Sequence, residues 1–400
     1  MRPPTGACYN ARVRPESVYL DFAATTPVDR RVLDRMAPFF EGAFGNPSSI
    51  HGWGQQAEAA LEEARATVAS VLGCAPEDIL FTSGGSESDN LALRGAAFAE
   101  RERRGAAHIL TSPVEHDAVL RTAEQLEAVH GFVLELLPVD GHGRVSAEDL
   151  AQRIRPDTAV VSVIYANNEI GTINPIADLA AVCRARGVPF HTDAVQAGSQ
   201  LPIHVGKLGV DLMSLGAHKF YGPKGVGVLY VRRGTRLVPA QTGGSHERGL
   251  RAGTPNVPLI MGLAAALEIV DEEREAHNGR FARHRDRILT EVVQAVPLAR
   301  TTGHPTERLP NHASFVFHQV DGNQLLAALD LAGYAVSSGS ACKTGDPEPS
   351  QVLLALGLPP AWALGSLRVT VGRTTSEAGV DGFLTALPPI VDRLWRAAGS

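Results

Sequence analysis

The sequence predicts an α/β protein: a large domain with a mostly parallel, mixed sheet covered by helices on both faces, followed by a smaller α+β domain. Three observations carry that expectation. From about residue 54, short apolar runs alternate with amphipathic helical stretches, the βαβα order that produces a parallel sheet. A long helical stretch near 255–295, rich in charge after Asp271, then breaks the alternation and leads into a second set of strands and helices. Finally, 400 residues exceed what one hydrophobic core usually holds.

Taken in order, residues 1–17 carry Arg2, Arg12 and Arg14 with three prolines and no amphipathic stripe. They read as a flexible extension rather than a targeting segment. Residues 54–72 place Ala57, Leu61, Ala64, Val68 and Val71 on one helical face, and Gly73 stops that helix. The strand at 79–82 runs into Ser83, Gly84, Gly85 and Ser86, and a helix continues to about Arg103. Apolar runs at 108–111, 131–137, 159–164, 188–192 and 210–215 alternate with helices at 115–129, 146–153 and 175–186. The run 226–231 follows after a Gly-rich loop too short for a crossover, so it should pair antiparallel or sit at an edge. The large domain is expected over 18–262. The small one, 263–400, should hold strands at 313–318, 334–337 and 366–371 and helices at 322–332, 349–356 and 376–396.

Composition narrows the function. Lys and Arg total 37 against 43 Asp and Glu, a formal charge of −6, which is not the basic footprint of a nucleic-acid binder. Aromatics at 6% supply few stacking platforms for single strands. No run of 18 apolar residues suggests a membrane span. The four cysteines, Cys8, Cys74, Cys183 and Cys342, show no C-x-x-C spacing, which argues against a zinc ribbon and fits a cytoplasmic protein.

The chemistry concentrates at strand ends. Lys219 closes a buried strand, where a desolvated amine has a lowered pKa and can form Schiff bases. Taken alone it reads first as a surface loop lysine, since lysines are mostly exposed, and the neighbouring features shift that weighting. Asp193 ends the preceding strand, at the carboxyl edge where α/β sheets hold ligands, and a carboxylate there can keep a pyridine nitrogen protonated. The Gly85–Ser86 turn opens a helix whose free N–H groups suit a phosphate. His116 also follows a strand and could stack on a planar ring or carry protons. Together these are the parts of a pyridoxal phosphate site. A dinucleotide fingerprint and a P-loop are both absent from the sequence. Cys342 sits among small residues with Lys343 beside it, a setting that favours thiolate. Arg368, on a later strand, could clamp a substrate carboxylate.

With these residues in place, the chain resembles the cysteine desulfurases of the NifS and IscS type, within the class V aminotransferase group of fold type I pyridoxal phosphate enzymes. The resemblance runs over roughly 18–395. It rests on YLDFAATTP at 19–27, FGNPSS at 44–49, TSGGSES at 82–88, NNEIG at 167–171, HTDAVQ at 191–196, HK at 218–219, RAGT at 251–254 and SSGSAC at 337–342. It implies pyridoxal phosphate held covalently by Lys219, with His116 stacked on the ring, Asp193 at the ring nitrogen and Gln196 at the phenolic oxygen. Gly85, Ser86, Gly216 and His218 would cup the phosphate, completed by Thr254 from a partner subunit. Asn168 and Arg368 would hold the carboxylate of L-cysteine, and Cys342 would accept its sulfur as a persulfide.

The resemblance further implies a homodimer, and an iron–sulfur scaffold or sulfur-relay protein as acceptor, with Cys342 a transient iron–sulfur ligand. Direct nucleic-acid or membrane binding is not expected. Two positions depart from the family pattern: Ser86 stands where threonine is usual, and Gly216 where serine is common. Selenocysteine lyase or cysteine sulfinate activity, or a non-catalytic dimeric scaffold, are the alternatives.

Overall fold

The computed structural model describes residues 17–338 and 348–398. Among these residues, twelve strands form three sheets. They are β1 (Val18–Tyr19), β2 (Ile79–Thr82), β3 (His108–Thr111), β4 (Val133–Leu136), β5 (Thr158–Ser162), β6 (Phe190–Asp193), β7 (Leu212–Gly216), β8 (Gly227–Val231), β9 (Ala299–Thr301), β10 (His312–Phe317), β11 (Tyr334–Ala335) and β12 (Ser366–Thr370). The largest sheet has the order β2-β8-β7-β6-β5-β3-β4. Its strands run parallel from β7 through β4, while β8 runs antiparallel to both neighbours, β2 and β7.

Apart from the edge strand β4, every strand of this sheet is buried on both faces, which is why most of them read as apolar runs. Side chains alternate across the pleat. Leu80, Ile109, Leu212 and Leu229 meet the helices Gly85–Arg104 and Asp117–His130 through Leu91, Ala96, Val119 and Leu126. On the opposite face Phe81, Leu110, Met213 and Val228 pack on the helices Gly52–Leu72 and Ile176–Ala185. Each fully buried Leu, Ile or Phe of this kind contributes about 1.5–3 kcal/mol. Local signals set the helix ends as the sequence suggests. Gly73 closes Gly52–Leu72 at φ 68°, and Ser146 and Asp321 cap two other helices through their side-chain oxygens.

The helix Val257–Ala295 is unbroken for 39 residues. Its first half, with Ile260, Leu263 and Leu267, lies in the large-sheet core; Phe281, Ile288 and Val292 lie in a second core. That second core is built on the antiparallel sheet β12-β10-β9, with Phe315, Phe317, Leu367 and Val369 facing Phe383 and Leu387 of the helix Glu377–Ala398. Leu20, from the other end of the chain, completes it.

The structure decides between two alternatives that the sequence reading left for one segment, and departs from that reading in two further respects. The 226–231 segment pairs antiparallel but lies inside the sheet, and β2 takes the edge. β1 and β9 have no counterpart in the periodicity: β1 spans two residues and pairs in parallel with β11, and β9 is three residues with two exposed side chains. The short helices Arg30–Met36, Pro38–Glu41, Val205–Leu208 and Pro360–Ala363 also escape it, being at most two turns long.

Candidate active site

Because β8 alone is reversed, the carboxyl ends of β2, β3, β5, β6 and β7 point the same way. The Gly85–Ser86 turn, His116, Asn168, Asp193 and Lys219 each lie at or just after one of those ends. Gly227 pairs with both Thr82 and Gly216, so the ends of β2 and β7 meet across the start of β8.

Lys219 follows β7 in the single turn Ala217–Lys219. Its Nζ donates to the carbonyls of Ala23 (2.6 Å) and Ala24 (2.9 Å), in the segment just after β1. Burial, then the neighbouring Arg368, lower its pKa to about 8, against the opposing pull of Asp193 and Asp21. The turn behind it is held in a strained form: Tyr221 has φ 65°, a left-handed value rare for aromatic residues. Thr26 accepts from the Tyr221 N–H (2.7 Å), Asp29 N–H donates to the Tyr221 carbonyl (3.0 Å), and the Arg373 guanidinium lies 4.3 Å from the Tyr221 ring centroid. These contacts from both ends of the chain fix where the lysine begins.

Asp193 closes β6, is 4% exposed, and accepts from the Val195 N–H at 2.9 Å. Burial raises its pKa, while His116 and Lys219 favour its charged form. His116 caps the helix Asp117–His130, its Nδ1 accepting from the Ala118 N–H at 3.1 Å, and its side chain is exposed. One oxygen of Asp193, one of Asp89 and a ring nitrogen of His116 lie within 4.8 Å of one another. Glu115, next to His116, is buried as well, and its pKa rises to about 8. The Gln196 amide donates to the Ala23 carbonyl at 2.8 Å, the same oxygen that Lys219 uses.

The third part is a cradle of backbone. Gly84 is the N-cap of Gly85–Arg104 and supplies no side-chain cap, so the first N–H groups of a 20-residue helix are left for another acceptor. A Cβ on Gly85 would stand 2.6 Å from Val195 Cγ2, whereas one on Gly216 would stand 3.4 Å from the Gly85 nitrogen. Ser86 is exposed beside them. His218 pairs with Thr25 through Nδ1 (3.2 Å), and burial followed by Lys219 lowers its pKa to about 4, so it is neutral. Thr254 lines a cleft with Thr82, Ser83 and Arg251 of its own chain. That segment is anchored by the buried ion pair of Arg65 with Glu247 (2.9 Å), whose carboxylate also accepts from Phe81 N–H, and by Arg251 with Glu87 (2.8 Å).

These groups fit pyridoxal phosphate. A desolvated amine, a buried carboxylate at a strand end and an uncapped helix N-terminus with glycines at closest approach match its aldehyde, ring nitrogen and phosphate.

Arg368, on β12, is 6% exposed. Its Nη2 donates to Asp21 (2.8 Å) and its Nη1 to the Asn168 carbonyl (2.9 Å), while its buried Nε has no partner among the described residues. His312, kept neutral by burial, makes a further bond to that carbonyl through Nε2 at 3.1 Å. The sequence reading pairs Asn168 with Arg368, and the structure joins them through the Asn168 backbone. Asp21 is the partner that reading missed; its signal lay in the YLDFAATTP motif, where an acid interrupts an apolar strand start.

Cys342 lies outside the described residues, as does Cys8. The flanks of 339–347 are tied close to Arg368 and Asn168: Ser337 exchanges backbone bonds with Arg368, and the Ser350 hydroxyl donates to Glu169 at 2.5 Å. Burial lifts the pKa of Glu169 to about 7. Of the other cysteines, Cys74 is half-buried with its thiol pushed up to about 12, and Cys183 is fully buried and pushed up as well. No helix among the described residues is long and apolar enough to cross a membrane.

Residues 18–383 match the family described as aminotransferase class-V. A cysteine desulfurase IscS from Dictyoglomus turgidum is 45% identical over 377 residues, covering 94% of this chain and 95% of that protein. Another from Methanosarcina thermophila is 44% identical over 385 residues, covering 96% and 94%. Among solved structures, a NifS-like protein superposes with a TM-score of 0.88 at 38% identity, over 94% of this chain and 100% of that one. A structure of SspA in complex with cysteine gives a TM-score of 0.78 at 36% identity, over 88% and 98%.

Proposed function

This chain belongs to the aminotransferase class-V family, and from that premise we propose how its residues divide the work of a pyridoxal phosphate-dependent cysteine desulfurase. The enzyme takes the sulfur from L-cysteine and leaves L-alanine. Its architecture is that of fold type I pyridoxal phosphate enzymes, with the division 18–262 and 263–400 proposed for its two domains.

The observation that most supports the roles is Lys219, a buried amine with a pKa near 8, electrostatically linked to Asp193 at the neighbouring strand end. Bound pyridoxal phosphate supplies an electron sink that loosens the α-proton of the substrate and the bond to its sulfur. Lys219 Nζ tethers the cofactor and, when free, takes the α-proton. Asp193 holds a proton on the ring nitrogen, His116 covers the ring, and Gln196 meets the phenolic oxygen. Gly85, Ser86, Gly216 and His218 bind the phosphate. Arg368 and Asn168 orient the substrate carboxylate. The Cys342 thiolate attacks the substrate sulfur, forming an S–S bond as the C–S bond breaks, so that sulfur leaves as the persulfide and the carbon skeleton as alanine. The anchoring of both flanks of 339–347 beside Arg368 and Asn168 supports that reach.

The proposal extends to a homodimer in which Thr254 completes the partner's phosphate cup. Phe40, Phe44, Ile50 and Trp53 are each more than half exposed within one short stretch, which supports a covered surface there. The acceptor is proposed to be an iron–sulfur scaffold or sulfur-relay protein in the cytoplasm, with Cys342 a transient iron–sulfur ligand.

The test compares Cys342→Ala and Lys219→Ala with the wild type. Wild type should be yellow, release alanine and carry a persulfide. Cys342→Ala should keep the colour and form neither product, and Lys219→Ala should turn over nothing. Substitutions of the half-buried Cys74 and the buried Cys183 should stay within about threefold of wild type. Normal sulfur release by Cys342→Ala would move the nucleophile elsewhere, and a wild type that takes up no cofactor would end the whole reading.

A further inference from the structure

Behind Asp193 stands a second buried acid. Asp89, on the helix Gly85–Arg104, is 1% exposed, and among the described residues its Oδ1 has no hydrogen-bond partner. The only basic side chain that touches it among the described residues is His191, whose Nε2 is 3.6 Å from Oδ1. His191 is held between two hydroxyls, Ser162 at 2.8 Å on Nδ1 and Ser214 at 2.9 Å on Nε2, and burial lowers its pKa to about 3. It is therefore neutral, and the contact is not an ion pair. Burial and the nearby Asp193 disfavour a charge on Asp89, and they outweigh the opposing influence of the Ser214 hydroxyl.

The charged groups around this pocket come from several elements. Asp193 closes β6, Glu115 and His116 follow β3, and Lys219 follows β7, with Arg368 beyond it. The two basic groups that favour a charged carboxylate, His116 and Lys219, act on Asp193. Glu115 is satisfied on one oxygen by Ser112 and the Ile164 N–H, and its other oxygen is buried without a partner. Three buried acids thus share a pocket in which the one lysine, Lys219, acts on Asp193. An ionised Asp89 would place an uncompensated buried charge within 4.8 Å of Asp193.

We propose that Asp89 is a positioning residue that keeps its own proton, leaving Asp193 the single ionised carboxylate facing the cofactor's ring nitrogen. The protonated acid offers a hydroxyl donor to its neighbours while adding no second charge, a state that an apolar residue could not reproduce. This inference rests on the reading of Asp193 given above.

The test uses Asp89→Asn, Asp89→Ala and Asp193→Asn beside the wild type, each stripped with a competing amine and titrated back with pyridoxal phosphate. Cofactor affinity and the pH midpoint of the visible absorption band are the readouts, with thermal midpoints of the stripped proteins as a check on folding. Asparagine copies the neutral acid in shape and in having a donor. It should therefore hold affinity within about twofold and leave the pH midpoint in place, whereas alanine should weaken affinity about tenfold through lost hydrogen bonding. A pH midpoint moved by about one unit in Asp89→Asn would mean that Asp89 is ionised and would overturn the proposal. So would wild-type affinity in Asp89→Ala. If instead Asp193→Asn left the absorption band and affinity unchanged, the placement of the ring nitrogen would fail, a result distinguishable from failure at Asp89.

Discussion

Lys219 shows how far a single residue's chemistry depends on its surroundings. Free lysine is a cation at neutral pH, but burial and Arg368 bring this one from 10.5 to about 8. The lowered value has a definite sign. Below about 8 both folded and unfolded chains hold the proton, and the folded one bears the cost of a buried cation. Between about 8 and 10.5 only the unfolded chain holds it, so the contribution of Lys219 to stability rises with pH across that window. Because only the neutral amine reacts with an aldehyde, the rate of cofactor uptake by the stripped protein should climb with a midpoint near 8. Stopped-flow absorbance would show it, and a midpoint near the free-lysine value would mean that the amine is not desolvated in solution. Gly216 is the second informative residue. A Cβ fits there, 3.4 Å from the Gly85 nitrogen and 3.6 Å from Val195 Cγ1, with no left-handed backbone to forbid it. Gly216→Ser would add a hydroxyl at the helix N-terminus and should tighten cofactor binding about tenfold, since one charge-assisted hydrogen bond is worth ~1.5–3 kcal/mol. Equal or weaker binding in a back-titration would show that glycine is kept for backbone approach.

Among the elements, β8 has the largest influence on the site. Its reversed direction lets β2 run with the other strands, and its first residue fits between two turns that carry chemistry. A Cβ on Gly227 would meet the Gly84 carbonyl carbon at 2.6 Å and the Leu215 oxygen at 2.7 Å, both backbone atoms that cannot rotate away. Gly227→Ala should therefore push the Gly84–Gly85 turn outward, costing about 1–3 kcal/mol of stability and weakening cofactor binding together. Gly52→Ala is the control, because nothing lies within 4 Å of a Cβ there. Denaturant midpoints and cofactor titrations of the two variants should separate clearly; coincident values would mean that the strand start yields more readily than its geometry implies. The helix Val257–Ala295 acts differently, joining both cores without a break so that the antiparallel sheet is held rigidly against the large one.

For the whole molecule, the proposed homodimer makes a definite statement about which subunit completes which site. Thr254 lies on a loop clamped to its own chain through Glu247 and Arg251, yet the proposed role is in the partner's phosphate cup. Mixing Lys219→Ala with Thr254→Val subunits distinguishes the two arrangements. If Thr254 acts across the interface, half of the sites in a mixed dimer pair an intact lysine with an intact threonine, and activity reappears on mixing. If it acts within its own chain, no mixed site is intact and the mixture stays at the average of its parents. Light scattering of the parents would confirm that both still assemble.

The sequence alone determined the alternation of strands and helices and the residues at the strand ends. Periodicity, caps and turn glycines are local: Gly73 ends its helix and Gly85 opens the next whatever lies elsewhere in the chain. The identities of Lys219, Asp193, His116 and Arg368 were legible for the same reason, since a costly polar residue beside a buried strand stands out within a few positions. Only the tertiary structure decided that β8 lies inside the sheet, that β1 pairs with β11, that Asp21 engages Arg368, and that Asp89 and Glu115 crowd behind Asp193. Those contacts join residues far apart in the chain, which leave no periodic trace. Protonation follows the same rule, because a side chain's charge is set by what surrounds it in space: an acid on a helix reads as a solvated face until a sheet closes over it.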